Sequence, residues 1–248
     1  MIALVDLNCD PALRRQPESH RVSVVTRKVA IIAGMFRRKN IDETREITDK
    51  WFRNSIFFDP YKRMALRGEY IWWRMRGSPG PKVPHVVKQR ALADFAERFH
   101  LRVMVETGTN LGNMINAQKN RFREIYSIEL DKWLAARAKQ KFAHQPNIHL
   151  YQGDSGELLP TIIPQIKEPA LFWIDAHWGA IDAPVKKELE CIYRHPVRDH
   201  VLLIDDARYF DGHGDYYSID DLREHAAREY PGSVVEVKDD IIRIYKPR

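Results

Sequence analysis

Residues 101–112, Leu-Arg-Val-Met-Val-Glu-Thr-Gly-Thr-Asn-Leu-Gly, constrain the fold more than any other stretch of the chain. The apolar run Leu101, Val103, Met104 and Val105 has the length and branching of a strand buried in a parallel sheet. Glu106 ends it, and a turn containing Gly108 and Gly112 opens onto a helix. Glycine lets backbone approach a ligand closely, and the following helix offers it unpaired N–H groups.

Downstream, strands and helices alternate. Strands are expected over 124–129, 148–151, 170–175 and 201–205. Helices are expected over 113–121, 131–142, 157–166, 183–193 and 218–230, with Pro160 and Pro164 shortening or breaking the third. Ser218 and Asp221 form a capping pair for the last helix. Two short apolar runs, 233–237 and 241–245, flank Lys238-Asp239-Asp240 and read as a hairpin. The pattern specifies an α/β fold, a doubly wound Rossmann-like sheet of seven strands with a terminal antiparallel hairpin.

The segment before it differs in character. Residues 1–100 carry 20 Lys/Arg against 11 Asp/Glu, whereas 101–248 carry 20 against 23, so the net charge of +6 comes from the first part. Helices are expected over 22–39, 42–58 (with Asp42 as N-cap) and 61–76, and a final one over 86–100 leads into the first strand. Residues 77–84, with three prolines and two glycines, form a loop. The chain is therefore divided into a basic helical extension, 1–80, serving as cap or homodimer surface, and a domain over 81–248.

Cys9 and Cys191 are too far apart in sequence to suggest a disulfide framework or a zinc site. No apolar run reaches the roughly 20 residues of a membrane span. With no basic-then-apolar leader, a cytoplasmic location is expected.

In an open α/β sheet, ligands bind at the carboxyl ends of the strands. Here those ends carry Glu106, Glu129, Asp154, Asp175 and the pair Asp205-Asp206. Carboxylates brought to one edge repel one another, so a shared ligand accounts for them better than a plain scaffold does. The turn after Glu106 lacks the Gly-x-Gly-x-x-Gly of dinucleotide sites and the Gly-Lys-Ser/Thr of a P-loop.

The turn resembles the acidic-x-Gly-x-x-x-Gly motif of class I S-adenosylmethionine-dependent methyltransferases, over about residues 86–248. The resemblance implies that Thr107, Gly108, Asn110 and Gly112 line the methionine part of the cofactor and that Glu106 contacts it or orders the loop. It implies that Glu129 binds the ribose hydroxyls and that Asp154 and Ser155 border the adenine. Phe-Trp-Ile-Asp175-Ala-His177-Trp178 and Leu-Ile-Asp205-Asp206 are similar to the metal-dependent O-methyltransferases of the macrocin and mycinamicin type. That likeness implies that Asp175, Asp205 and Asp206 hold Mg²⁺ and that Asp175 also adjoins the cofactor. His177 would be the base for an acceptor hydroxyl on a small molecule or glycoside. The loop 209–217, with two glycines and several aromatic rings, is the candidate acceptor lid.

Two other readings stay open. One is a nucleic-acid methyltransferase gripping RNA with 1–80, although Asp-Ala-His-Trp stands where base N-methylating enzymes carry an Asn/Asp-Pro-Pro-aromatic signature. The other is a non-catalytic binding module on the same fold.

Overall fold

The computed structural model describes residues 58–78, 80, 83–176 and 184–247. By its contacts the chain divides into Met1–Tyr61 and Lys62–Arg248. Of the first unit only residues 58–61 are described. The expected helices over 22–39 and nearly all of 42–58 therefore lie outside the described residues.

Seven strands form one sheet: β1 (Val103–Thr107), β2 (Glu124–Glu129), β3 (Ile148–Gln152), β4 (Ala170–Ile174), β5 (Val201–Ile204), β6 (Val234–Lys238) and β7 (Ile241–Tyr245). Their order is β3-β2-β1-β4-β5-β7-β6. The sequence-first strand is thus the middle of the sheet, with Val103 level with Glu124 on one side and Ala170 on the other. The first five strands run parallel, and β7 enters antiparallel to both β5 and β6. This is the doubly wound sheet with a terminal hairpin that the alternation specifies.

Period-two alternation sorts each central strand between two cores. Val103, Val105, Phe172, Ile174, Leu202 and Ile204 face one layer of helices: α5 (Ser155–Ile162), α6 (Val185–Tyr193) and α7 (Ile219–Glu229). Met104, Leu171, Trp173, Val201 and Leu203 face the other, formed chiefly by α2 (His85–Arg98) and α3 (Asn113–Gln118). Both faces are covered, which a parallel sheet of this kind requires. Helix α4 (Lys132–Lys141) contributes Ala138 to the second core.

Local chemistry sets the helix ends. Asp131 caps α4 by accepting from the Leu134 N–H at 2.8 Å, and Asp154 caps α5 by accepting from the Gly156 N–H at 2.7 Å. Helix α5 gives way to a 3₁₀ turn over Ile163–Gln165, since Pro160 lacks a donor and Pro164 cannot extend the ladder. Ser218 and Asp221 make the expected capping box. Preceding α2, helix α1 (Phe58–Met75) meets it where Arg90 Nη1 donates to the Tyr70 hydroxyl at 2.6 Å. Among the described residues no helix is long and apolar enough to cross a membrane.

Candidate active site

The carboxyl ends of β1 and β2 are tied together by the loop between β1 and α3. The N–H groups of Gly108 and Thr109 donate to the Ile128 carbonyl at 2.9 and 3.2 Å. Asn110, in the left-handed region at φ 49°, aims its own N–H at Glu129 Oε2, 2.6 Å away. Glu129 Oε1 accepts from the Asp131 N–H at 2.9 Å. Two backbone donors therefore fix this buried carboxylate, and each of its oxygens keeps a lone pair for further donors.

Glu106 is 1% exposed, and its Oε2 accepts from the Ser127 hydroxyl at 2.5 Å. Ser127 in turn meets Thr109 Oγ1 at 2.6 Å. Burial drives the Glu106 acid up to about 8, against the pull of Ser127 and with Glu129 adding to the rise. Glu106 is thereby linked through Ser127 to Thr109 of the loop. Neither Ser127 nor Thr109 was singled out from the sequence.

The glycines prove to be needed by the protein's own packing. At Gly108, φ is +89°, and a Cβ would overlap the Asp175 carbonyl group. At Gly112, φ is +66° and a Cβ would stand 2.7 Å from the Phe142 ring. Thr107 completes the seam, its carbonyl accepting from the Asp175 N–H at 3.0 Å. Asp154 is exposed beyond β3 while Ser155 is buried beside it, both at the start of α5.

On the other side of β1, the ends of β4 and β5 bring together Asp175, Asp205 and Asp206. Burial pushes the Asp175 carboxyl well above the usual range, and Asp205 raises it further, while Lys88 opposes them. Asp205 is pushed up by burial as well, with Lys88 pulling it down and Asp206 pushing it up. Three acidic groups this close cannot all ionise freely.

Lys88, which sequence reasoning missed, lies inside the cluster. Its Nζ is 2.5 Å from Asp205 Oδ1 and 2.9 Å from Asp206 Oδ1, and the residue is 7% exposed. Burial disfavours its charge, yet Asp205 and Asp206 outweigh that and hold its pKa above the ordinary lysine value. Arg208 adds a second cation, 2.8 Å from Asp206 Oδ1 and also paired with Asp240.

The expected magnesium site therefore looks different from its sequence description. Among the described residues no group of three or more His, Cys, Asp and Glu side chains is arranged to hold a metal ion. The inner oxygens of Asp205 and Asp206 face an ammonium. As they stand, these residues do not fit a divalent ion, and no step is derived through one. His177, the expected base, lies outside the described residues.

The loop after β5, the candidate lid, reaches this edge. A 3₁₀ turn over Ala207–Tyr209 leads to Phe210, whose ring packs edge-on against Tyr216 at 5.1 Å. Tyr216 is buried. Its phenol is pushed up to about 12 by burial first and Asp206 next, with Asp175 a smaller contributor.

No family model matches the chain, and no curated protein matches it. Solved structures do. A protein from Staphylococcus aureus assigned as a caffeoyl-CoA O-methyltransferase superposes with a TM-score of 0.51 at 13% identity, over 84% of this chain and 100% of that one. The O-methyltransferase TomG from Streptomyces achromogenes, involved in tomaymycin synthesis and solved with SAM, gives 0.51 at 14% identity, over 74% and 90%. At such identities the likeness is one of architecture: this chain has the seven-stranded Rossmann-like fold of the S-adenosylmethionine-dependent methyltransferases.

Proposed function

We propose that this protein transfers a methyl group from S-adenosylmethionine to a hydroxyl on a small molecule or glycoside. The observation that carries the reading is the Glu129 carboxylate, fixed at the end of β2 by N–H groups of Asn110 and Asp131. A bidentate acceptor with lone pairs to spare is suited to a pair of vicinal hydroxyls such as those of a ribose.

In this reading Glu129 holds the ribose, and Asp154 and Ser155 border the adenine. Glu106, Thr107, Gly108, Asn110 and Gly112 shape the methionine end. When bound, the cofactor supplies an activated methyl on a sulfonium. What remains for the chain is to place the acceptor oxygen in line and to receive its proton. Asp175 borders both halves of the site, and His177, two residues on, is assigned the proton. Tyr216 and Phe210 wall the acceptor side and keep water out. Residues 1–80 are assigned the role of cap or homodimer surface over a catalytic part spanning 81–248.

Calorimetric titration with S-adenosylhomocysteine tests the reading. Micromolar binding is expected, weakened in Glu129→Ala. Absence of binding to a folded wild-type protein would overturn it.

A further inference from the structure

Resting on the reading just given, we propose that Lys88 is the resident cation of the acceptor site. Its ammonium stands where the sequence assigns a divalent ion, and it keeps Asp205 and Asp206 in place without a metal.

Three observations carry this. The first is position. On helix α2, Lys88 falls on the stripe formed by Ala91, Leu92 and Phe95, the residues that anchor the helix to the sheet. The side chain one turn before them is thereby committed to the interior, at the carboxyl ends of β4 and β5. A lysine with an 8% exposed side chain has no route to solvent for its charge.

The second is valence. One N–H meets Asp205 Oδ1 at 2.5 Å and another meets Asp206 Oδ1 at 2.9 Å. A divalent ion on the same two oxygens would be forced against the ammonium, a like-charge contact in a buried place. The ammonium has a third donor, and among the described residues no partner for it is seen. That donor is available to an oxygen of the acceptor.

The third is the helix itself. Helix α2 begins after Pro84 with no side-chain cap and no acidic residue in its first turn. A lysine there runs against the helix dipole unless negative charge is brought to it from elsewhere. Asp205 and Asp206 bring it from the end of β5. Lys88 is thus a positioning residue: it fixes the two carboxylates that face the acceptor and occupies the space a metal would need.

A purely structural strut would hold helix and strand together but would not control ion binding, so the test reads ion binding. Mn²⁺ is titrated into wild type, Lys88→Met, Lys88→Arg and Lys88→Met/Asp205→Asn, followed by electron paramagnetic resonance of the free ion. Circular dichroism and S-adenosylhomocysteine binding are recorded in parallel. Wild type and Lys88→Arg are expected to show no specific Mn²⁺ site. Lys88→Met should gain one, binding roughly tenfold or more tighter than wild type because Asp205 loses its cation, while Asp206 keeps Arg208. Adding Asp205→Asn should remove the gain. Equal Mn²⁺ binding by wild type and folded Lys88→Met would overturn the proposal, as would a folded Lys88→Met with no gain. If Lys88→Met does not fold, specific Mn²⁺ binding by wild type or by Lys88→Arg overturns it, and its absence in both upholds it. Loss of S-adenosylhomocysteine binding in wild type alone would sink the methyltransferase reading and leave the ion comparison standing.

Discussion

Gly108 lies against the backbone of Asp175: a Cβ at position 108 would stand 2.8 Å from the Asp175 carbonyl carbon and 3.2 Å from the Ala176 nitrogen. The loop assigned to the cofactor and the strand end assigned to the acceptor share this seam, so a disturbance on one side reaches the other.

Gly108→Ala should therefore act twice. The left-handed backbone at φ +89° disfavours any side chain, by about 1–2 kcal/mol, and the overlap with Asp175 adds to that. Differential scanning calorimetry should show a melting temperature lowered by roughly 4 °C or more. Weaker binding of S-adenosylhomocysteine should accompany it. A variant that melts with the wild type would show that the seam can open at no cost.

Glu129→Ala removes the shared acceptor of the Asn110 and Asp131 N–H groups. A hydrogen bond to a charged group contributes about 1.5–3 kcal/mol. The affinity for S-adenosylhomocysteine should accordingly fall by roughly tenfold to a hundredfold in a calorimetric titration. Unchanged affinity would move the ribose away from this carboxylate.

Glu106 gives a pH dependence with a definite sign. Its folded-state pKa of about 8 is above the ordinary 4.5, so between those values the native state holds a proton that the unfolded chain has lost. Stability must fall as pH rises through that window. Glu106→Gln cannot ionise and should gain on the wild type over the same range in urea melts read at successive pH values. Parallel curves for the two proteins would mean that Glu106 is ionised in the native state.

The pair His195 and His200 makes a second test. His200 Nδ1 accepts from the Ala170 N–H at 3.0 Å, and its Nε2 lies 2.9 Å from His195 Nδ1, an arrangement suited to neutral rings. Burial first, then His195, lowers His200 to about 4, and burial lowers His195 too. Both proton-binding equilibria favour the unfolded chain in acid, so their contribution to stability is present above an ordinary histidine pKa and is lost as pH falls. Ring-proton NMR should show His200 untitrated at pH 5.5, near one unit below the ordinary histidine value of about 6.5. Titration with a normal midpoint would mean the pair is open to water.

The scaffold was legible in the sequence because its central strands are buried on both faces. Runs such as 170–174 and 201–204 have no solvent-facing residue to blur them, and acidic residues end them at one edge of the sheet. The helices were read a few residues too long where chemistry at their ends was weak. Helix α3, expected over 113–121, stops at Gln118.

The half assigned to the acceptor was harder to read, since its decisive contacts join residues far apart in sequence. Lys88 and Asp206 are 118 positions apart, and only the strand order, with β4 and β5 beyond β1, brings them together. A sequence signal for Lys88 did exist. It sits four residues before Leu92 and seven before Phe95, on the apolar stripe of its helix, where a lysine has no solvent to face. Ser127 gave no such signal, being one hydroxyl among the apolar residues between Glu124 and Glu129. Arg208 and Asp240 meet only because β7 turns back beside β5.

The place of β7 between β5 and β6 also has a consequence for synthesis. A ribosome releases residues 241–245 after every other strand of the sheet. Until they emerge, the outer edge of Val201–Ile204 has no neighbour, although its other edge is already paired with β4. An apolar strand with a bare row of donors and acceptors is a template for another chain's strand. The nascent sheet is thus most exposed to misassembly just before residues 241–245 emerge, and a nonsense codon shortly before position 241 would make that condition permanent.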